Sequence, residues 1–510
     1  MLIITKKIWS HVIDEDTAFI ERLKKRLTIK DENDNSIELF KDKEGEEYLP
    51  FGCLDIPTGI VDTLVLPYVE FQGLKDERKD IDFDVSYLRN LVVKTYEEMA
   101  KASSGFEVRQ HQLQGTLKCL INKHGICEAA TGSGKTEIIT SLLKILDGKI
   151  LVINNRTNIL NQIEGRARLR GLTKKIEYLN KNPDLESSEI IISTNNLIWN
   201  LVKKNDSKIL KYLKSVKAII CDECHHGSCQ SIATPAMIAN PEYLIGFTAS
   251  PYKENGLSFD DIMLNAVFGN SFYFISSKYL REKGFSSYIY SYYIDYMQKT
   301  VTKRMKNCAD VYKIYIAENF QRNEIAFKII KQVYDQGLKI LVMVNRIEHG
   351  QNVLSNLKDL GIKSLFLCGG NKIYEALEET EKVKGITKHK ILCKKGNADS
   401  IKKAIREENY KVIVGNVVFN EGIDVPEFDV GLLLDAGKNI ISHVQRIGRI
   451  CRRKENGINC AVFIDFNDKG HPYLERWTEE RKNHLKKEGI PIISKEQFNT
   501  LIFKLGLSRK

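Results

Sequence analysis

Two short stretches hold residues whose types and spacing can do chemistry. Residues 126–139 read ICEAATGSGKTEII, and residues 217–229 read KAIICDECHHGSC. In the first, an apolar run enters a turn with glycines at 132 and 134, and a helical pattern follows. Such glycines let backbone N–H groups wrap a phosphate, with Thr131 and Ser133 completing the loop between Ala130 and Gly134. Lys135 can reach β- and γ-phosphates, and the Thr136 hydroxyl can ligate Mg²⁺. Ala129 stands where the first glycine of the usual spacing would be, a difference of one methyl group.

The second stretch is open to two readings. Three cysteines and two histidines in nine residues suggest zinc. An apolar strand ending in two carboxylates suggests instead the second half of a phosphate site. There Asp222 would anchor Mg²⁺ and Glu223 would polarise the attacking water. A four-coordinate structural zinc usually draws ligand pairs from two places. The chain has no second C-x-x-C or H-x-x-x-H, so the nucleotide reading is preferred and no zinc is expected. Cys221 then continues the strand, Cys224 is a small filler before His225, and His226 and Cys229 are loop or packing residues.

Elements must position these groups. Short β-branched runs recur at 149–155, 189–194, 217–223, 244–250, 339–345 and 411–416, each bounded by polar residues or glycine. Continuous apolar runs of this length suit parallel strands buried on both faces, with amphipathic stretches between them as crossover helices. The alternation fills two blocks, about 105–275 and 310–470, and predicts two α/β domains. With 510 residues the chain is too long for one ordinary core. We expect an N-terminal accessory module over 1–100, a first domain over 101–280 and a second over 281–510. The N-terminal module is read as a small α+β unit that helps grip duplex.

Composition narrows the class. The net charge of +11 tilts toward a polyanionic partner. No run of ~18 apolar residues is present, which argues against a membrane span. The first twenty residues lack a signal-peptide run, and the 11 cysteines fit reduced thiols, so a cytoplasmic protein is expected.

With ATGSGKT and DECH in order, the chain resembles the superfamily 2 helicases of the DExH kind. The likeness extends from about Arg109 to about Arg476. VRQHQ (108–112) is similar to the adenine-reading element, with Gln112 the matching glutamine. NNRTNILNQ (154–162) and STNN (193–196) fall where the family contacts a nucleic-acid backbone, which implies that role for Arg156, Thr194 and Asn195. FTASP (247–251) resembles the element linking hydrolysis to strand binding, which brings in Thr248 and Ser250 beside His225. VMVNRIEHG (342–350), GNVVFNEGIDVP (415–426) and HVQRIGRICRR (443–453) follow in family order. They imply backbone contacts at Asn345 and Asn416, coupling at Gly422 and Asp424, and a catalytic set of Gln445, Arg449 and Arg452. Asn416 stands where many relatives carry threonine. Guanidinium forks three residues apart on one helical face suit the charge of a transferring phosphoryl group.

The resemblance implies tandem RecA-like domains that bind ATP and Mg²⁺ and close around them. Within the superfamily, FQRNEIA (320–326), EHG (348–350) and LPFG (49–52) are similar to phage recombination helicases of the UvsW type. That likeness implies a monomeric ATP-driven motor on forked or branched DNA, located in the host cytoplasm if phage-encoded. An RNA helicase with the same motor, and a scaffold protein with an inactive ATP site, are the alternatives. SSYIYSYYIDY (286–296) offers tyrosines that could stack on bases or pack inside. Residues 371–397 look like an insertion, helical at first (Tyr374, Leu377, Thr380, Glu381) and β-prone over Ile386–Lys395. Lys388, Lys390, Lys394 and Lys395 suggest a DNA-contacting arm.

Overall fold

The computed structural model describes residues 84–226, 230–252, 259–298, 308–368, 372–383, 386–396, 410–416, 428–437, 453–454 and 458–509. Before residue 84 it describes only the backbone of short strands, among them an antiparallel trio of Trp9–Asp14, Gly52–Pro57 and Lys41–Asp42. The chain divides into two compact units, Met1–Ile275 and Ser276–Lys510.

The first unit is built on seven parallel strands. They are β1 (His124–Ala129), β2 (Lys149–Asn154), β3 (Ile176–Tyr178), β4 (Ile190–Thr194), β5 (Val216–Asp222), β6 (Tyr243–Thr248) and β7 (Ser271–Ile275). Their spatial order is β3-β4-β2-β5-β6-β1-β7. Ile150–Ile153, Ile190–Ile192 and Ala218–Cys221 are all fully buried, as a sheet covered by helices on both faces requires. Helix α1 (Val85–Ala102) joins this core through Tyr96, whose hydroxyl lies 3.1 Å from Thr116 on α2 (Gln110–Asn122).

The second unit has a nine-stranded sheet: β8 (Tyr288–Met297), β9 (Ile340–Met343), β10 (Ser364–Cys368), β11 (Lys372–Val383), β12 (Ile386–Lys395), β13 (Val412–Gly415), β14 (Val430–Leu433), β15 (Cys460–Lys469) and β16 (Ile492–Ile493). The order is β12-β11-β10-β13-β9-β14-β15-β8-β16. All neighbours are parallel except the pairs β10–β11 and β11–β12. These two sheets are the tandem RecA-like architecture.

The antiparallel pair β11–β12 is the segment at 371–397, and it departs from the expected helical start. Lys372–Val383 is strand throughout, paired with Ile386–Lys395. A register shift between Ala376 and Thr380 breaks the alternation of the strand. That break leaves apolar residues at spacings that imitate a helical repeat. The hairpin lies at the sheet edge, where His389 Nε2 reaches Asp359 Oδ1 at 3.0 Å and Nδ1 reaches the Leu377 carbonyl at 2.7 Å. Lys390 pairs with Glu379 at 2.7 Å on the surface of the hairpin.

The tyrosines of β8 mostly pack. Tyr292 stacks on Phe498 at 4.4 Å between ring centroids, and Tyr296 meets Phe466 edge-on; both are buried. Tyr288 is exposed.

Candidate active site

The phosphate loop follows β1 and ends where α3 (Lys135–Ile145) begins. Gly132 and Gly134 take φ of +85° and +87°, the left-handed region that favours glycine. A Cβ on Gly134 would lie 2.1 Å from Gln112 Nε2, so a side chain there would displace that amide. Gln112 is buried, accepts from the Arg109 N–H at 3.3 Å and donates to the Ser133 carbonyl at 3.2 Å. Its amide braces the loop from outside. Two neighbours that the sequence reading passed over do the same. His111 Nε2 lies 2.8 Å from the Ser133 carbonyl, and Arg109 Nη1 donates to the Gly132 carbonyl at 3.3 Å. The spacing R-x-H-Q before the loop was the available signal.

Lys135, first residue of α3, reaches across to the end of β5. Its Nζ is 3.5 Å from Glu223 Oε1. Glu223 has φ +56°, a left-handed conformation that costs a residue with a Cβ about 1–2 kcal/mol. The turn lets the strand end on Asp222 while the next carboxylate swings back toward Lys135. The Glu223 N–H donates to Asp222 Oδ1 at 3.1 Å. Burial alone would lower the Lys135 ammonium, but the carboxylates of Glu223 and Asp222 outweigh it and hold it above its ordinary value. Burial, then the charge of Glu223, pushes the Asp222 carboxyl up. Burial also works against ionising Glu223, yet Lys135 and His225 overcome it and hold this carboxyl below the usual range.

Three of the residues expected to couple hydrolysis to strand binding, His225, Thr248 and Ser250, lie together. His225 Nδ1 lies 3.3 Å from Glu223 Oε2 and 3.0 Å from Thr248 Oγ1, and Thr248 Oγ1 accepts from the Ser250 N–H at 3.2 Å. A chain of contacts thus leads from the carboxylate to the loop after β6. Cys221 and Cys224 are fully buried, and burial raises both thiols. Cys224 packs on Gly246, where an added Cβ would come 2.6 Å from its Sγ. Cys229 lies outside the described residues.

The other predicted residues are dispersed. Thr194 caps α5 (Asn195–Lys203) from the end of β4. Asn195 is buried and its amide donates to Ser231 Oγ at 2.9 Å, so that side chain joins two helices. In the second unit Asn345 is exposed after β9, whereas Asn416 is buried after β13. Gly422, Asp424, Gln445, Arg449 and Arg452 lie outside the described residues.

The donor set fits Mg²⁺ and a nucleoside triphosphate. A loop of N–H groups, an ammonium and a hydroxyl would receive the phosphates. Asp222, strained by a like charge, would gain from a dication beside it.

FQRNEIA and EHG prove to be packing elements. Arg322 is fully buried and forks onto Asp468 at 2.9 and 3.0 Å. His349 meets the Tyr312 hydroxyl at 2.9 Å, and a Cβ on Gly350 would strike the Phe366 ring at 2.4 Å.

Comparison with known families agrees with the fold. Residues 95–253 match the family described as type III restriction enzyme, res subunit, and residues 322–454 match the helicase conserved C-terminal domain. The chain belongs to the superfamily 2 helicases and is an ATP-dependent helicase. Among individual proteins it is 25% identical over 419 residues to a protein of Sulfolobus islandicus filamentous virus (isolate Iceland/Hveragerdi) named as helicase 22, covering 76% of this chain and 68% of that one. It is 22% identical to the DNA 3'-5' translocase XPB2 of Sulfurisphaera tokodaii, over 71% of this chain and 82% of the relative. Of solved structures, T4 UvsW covers 96% of this chain and 98% of its own at 18% identity and a TM-score of 0.42. Saccharomyces cerevisiae Dbp5 bound to RNA covers 81% and 97% at 14% identity and a TM-score of 0.50. At such identities the structural likeness shows the fold alone.

Proposed function

We propose that this helicase is a DNA motor that remodels forked or branched DNA, by unwinding and branch migration, in recombination, replication or repair. The observation that carries the motor reading is the linked set Lys135, Glu223, His225 and Thr248, which ties a phosphate site to a loop beyond it. Lys135, Thr136 and Asp222 hold the phosphates and Mg²⁺, and Gln112 reads the adenine while bracing the loop. Glu223 orients water, with Gln445 assisting, and Arg449 and Arg452 stabilise the transferring phosphoryl group. Arg156, Thr194, Asn345, Asn416 and the N–H groups at the start of α5 contact a strand through its backbone, so binding has little sequence preference and falls steeply with salt. Gly422 and Asp424 couple the second unit to hydrolysis.

DNA is favoured by the similarity to a protein named as a DNA translocase, and the branched substrate by the edge hairpin. The test is ATPase and unwinding on forks, four-way junctions, plain duplex and RNA, with the chain as a monomer. Forks and junctions are expected to be the best substrates. Preference for RNA would sink the DNA reading, and equal unwinding of plain duplex would sink the branched one.

A further inference from the structure

Strand β2 ends on a polar side chain in an otherwise apolar run. Asn154 is fully buried, directly after Ile150–Ile153. Its Nδ2 donates to the main-chain carbonyl of Asp222 at 3.1 Å, and its Oδ1 accepts from the backbone N–H of Arg156 at 2.8 Å. A buried amide is costly unless bonded, and this one is bonded at both ends. An apolar side chain would fill the same space without joining the two loops.

The helix that starts beyond Arg156, α4 (Thr157–Leu169), is tied at its far end as well. Arg170, which caps it, donates twice to Glu137 at 2.9 Å, and Glu137 directly follows Thr136. The Arg170 guanidinium also lies over the Phe106 ring at 3.8 Å. One end of α4 is therefore fixed to the peptide preceding Glu223, and the other to the helix that follows the phosphate loop.

We propose that Asn154 is a positioning residue that carries the state of the metal–phosphate end to the Arg156 loop, so that nucleotide sets nucleic-acid affinity. This rests on the reading of Arg156 as a nucleic-acid contact. When a dication and phosphates draw on Asp222 and Lys135, the Asp222–Glu223 peptide adjusts. The amide of Asn154 follows its carbonyl, and the Arg156 N–H follows the amide. The Asn154 side chain is fully buried and acts through its two hydrogen bonds.

The test is the ratio of oligonucleotide dissociation constants without nucleotide and with Mg²⁺ and a non-hydrolysable ATP analogue. Linked sites typically change each other's affinity by about 5–150-fold. In Asn154→Ala the ratio should fall toward one, while each ligand alone still binds. Asn154→Asp keeps the acceptor for Arg156 but sets a carboxylate against the Asp222 carbonyl, and should lose the coupling as fully. A ratio near one in the parent, or the parent ratio in either folded variant, overturns the proposal. Arg156→Ala tests the underlying reading separately: unchanged oligonucleotide affinity without nucleotide would sink it whatever Asn154 does. Should both Asn154 variants fail to fold, amide exchange in the parent decides. The analogue alone should slow exchange at the Arg156 N–H, and unchanged exchange overturns the link.

Discussion

The Lys135 ammonium stands 3.5 Å from the Glu223 carboxylate, one from the start of a helix and the other from a left-handed turn at a strand end. The lysine is therefore shielded, with its side chain 14% exposed, and each group holds the other charged. Lys135→Ala should lower ATPase by about 10²–10³, the usual cost of losing one charge-stabilising donor. A purified variant that hydrolyses ATP at the parent rate would refute this.

Cys224 and Gly246 share one packed space beside the site. Gly246→Ala would force Cys224 Sγ aside and should destabilise the first unit by about 1–3 kcal/mol. Cys224→Ala should keep ATPase. Cys224→Ser should also keep it but melt earlier, because a fully buried hydroxyl replaces a thiol. Stoichiometric zinc that disappears in either Cys224 variant, together with unfolding, would restore the zinc reading.

The buried Arg322–Asp468 fork gives a stability prediction for the second unit. Asp468→Ala leaves a guanidinium uncompensated and should cost about 3–5 kcal/mol. Denaturant unfolding of the second unit checks it; a midpoint equal to the parent's would show that the pair contributes nothing.

His349 makes the same unit acid-sensitive. Burial first, and the Arg322 charge second, lower its imidazole to about 4 from an ordinary 6.5. Between those values the unfolded chain binds a proton that the folded chain does not. The stability is complete above about pH 6.5 and is lost as pH falls toward 4, by roughly 3 kcal/mol in all. His349→Gln should flatten that slope in melts taken from pH 7 to 4.5. An unchanged slope would assign the acid sensitivity to other groups.

The hairpin can be separated from the motor. Its base packs through Tyr374, Ala376 and Ile391, so replacing 377–390 with a short turn should preserve the fold. Nucleic-acid-stimulated ATPase should survive, and fork unwinding should fall several-fold if the hairpin splits strands. Unwinding equal to the parent's would make it decoration.

Much of the motor was legible because buried parallel strands need long β-branched runs, and those at 149–155, 189–194 and 217–223 lie within a residue or two of β2, β4 and β5. The phosphate loop was legible because backbone wrapping demands its glycines. Of the hairpin, the second strand was legible as the β-prone stretch Ile386–Lys395; the first was not, because a register shift hid its alternation and its pairing is tertiary. Nor were Asn154, His111 and Arg109. Their roles lie in contacts to carbonyls 22 to 68 residues away, and no local spacing reports such partners. FQRNEIA and EHG were legible as motifs but not as packing, since their partners Asp468, Tyr312 and Phe366 lie elsewhere in the chain.

The most direct test of the motor is Glu223→Gln, which keeps the side-chain shape and removes the charge to which the proposed mechanism gives the orienting of water. Binding of a fluorescent ATP analogue and DNA-stimulated hydrolysis are measured on the same preparation. We expect binding to persist and hydrolysis to fall at least about 10²-fold, as for loss of a general base. Hydrolysis at the parent rate, or a parent protein whose ATPase no nucleic acid stimulates, would contradict the account.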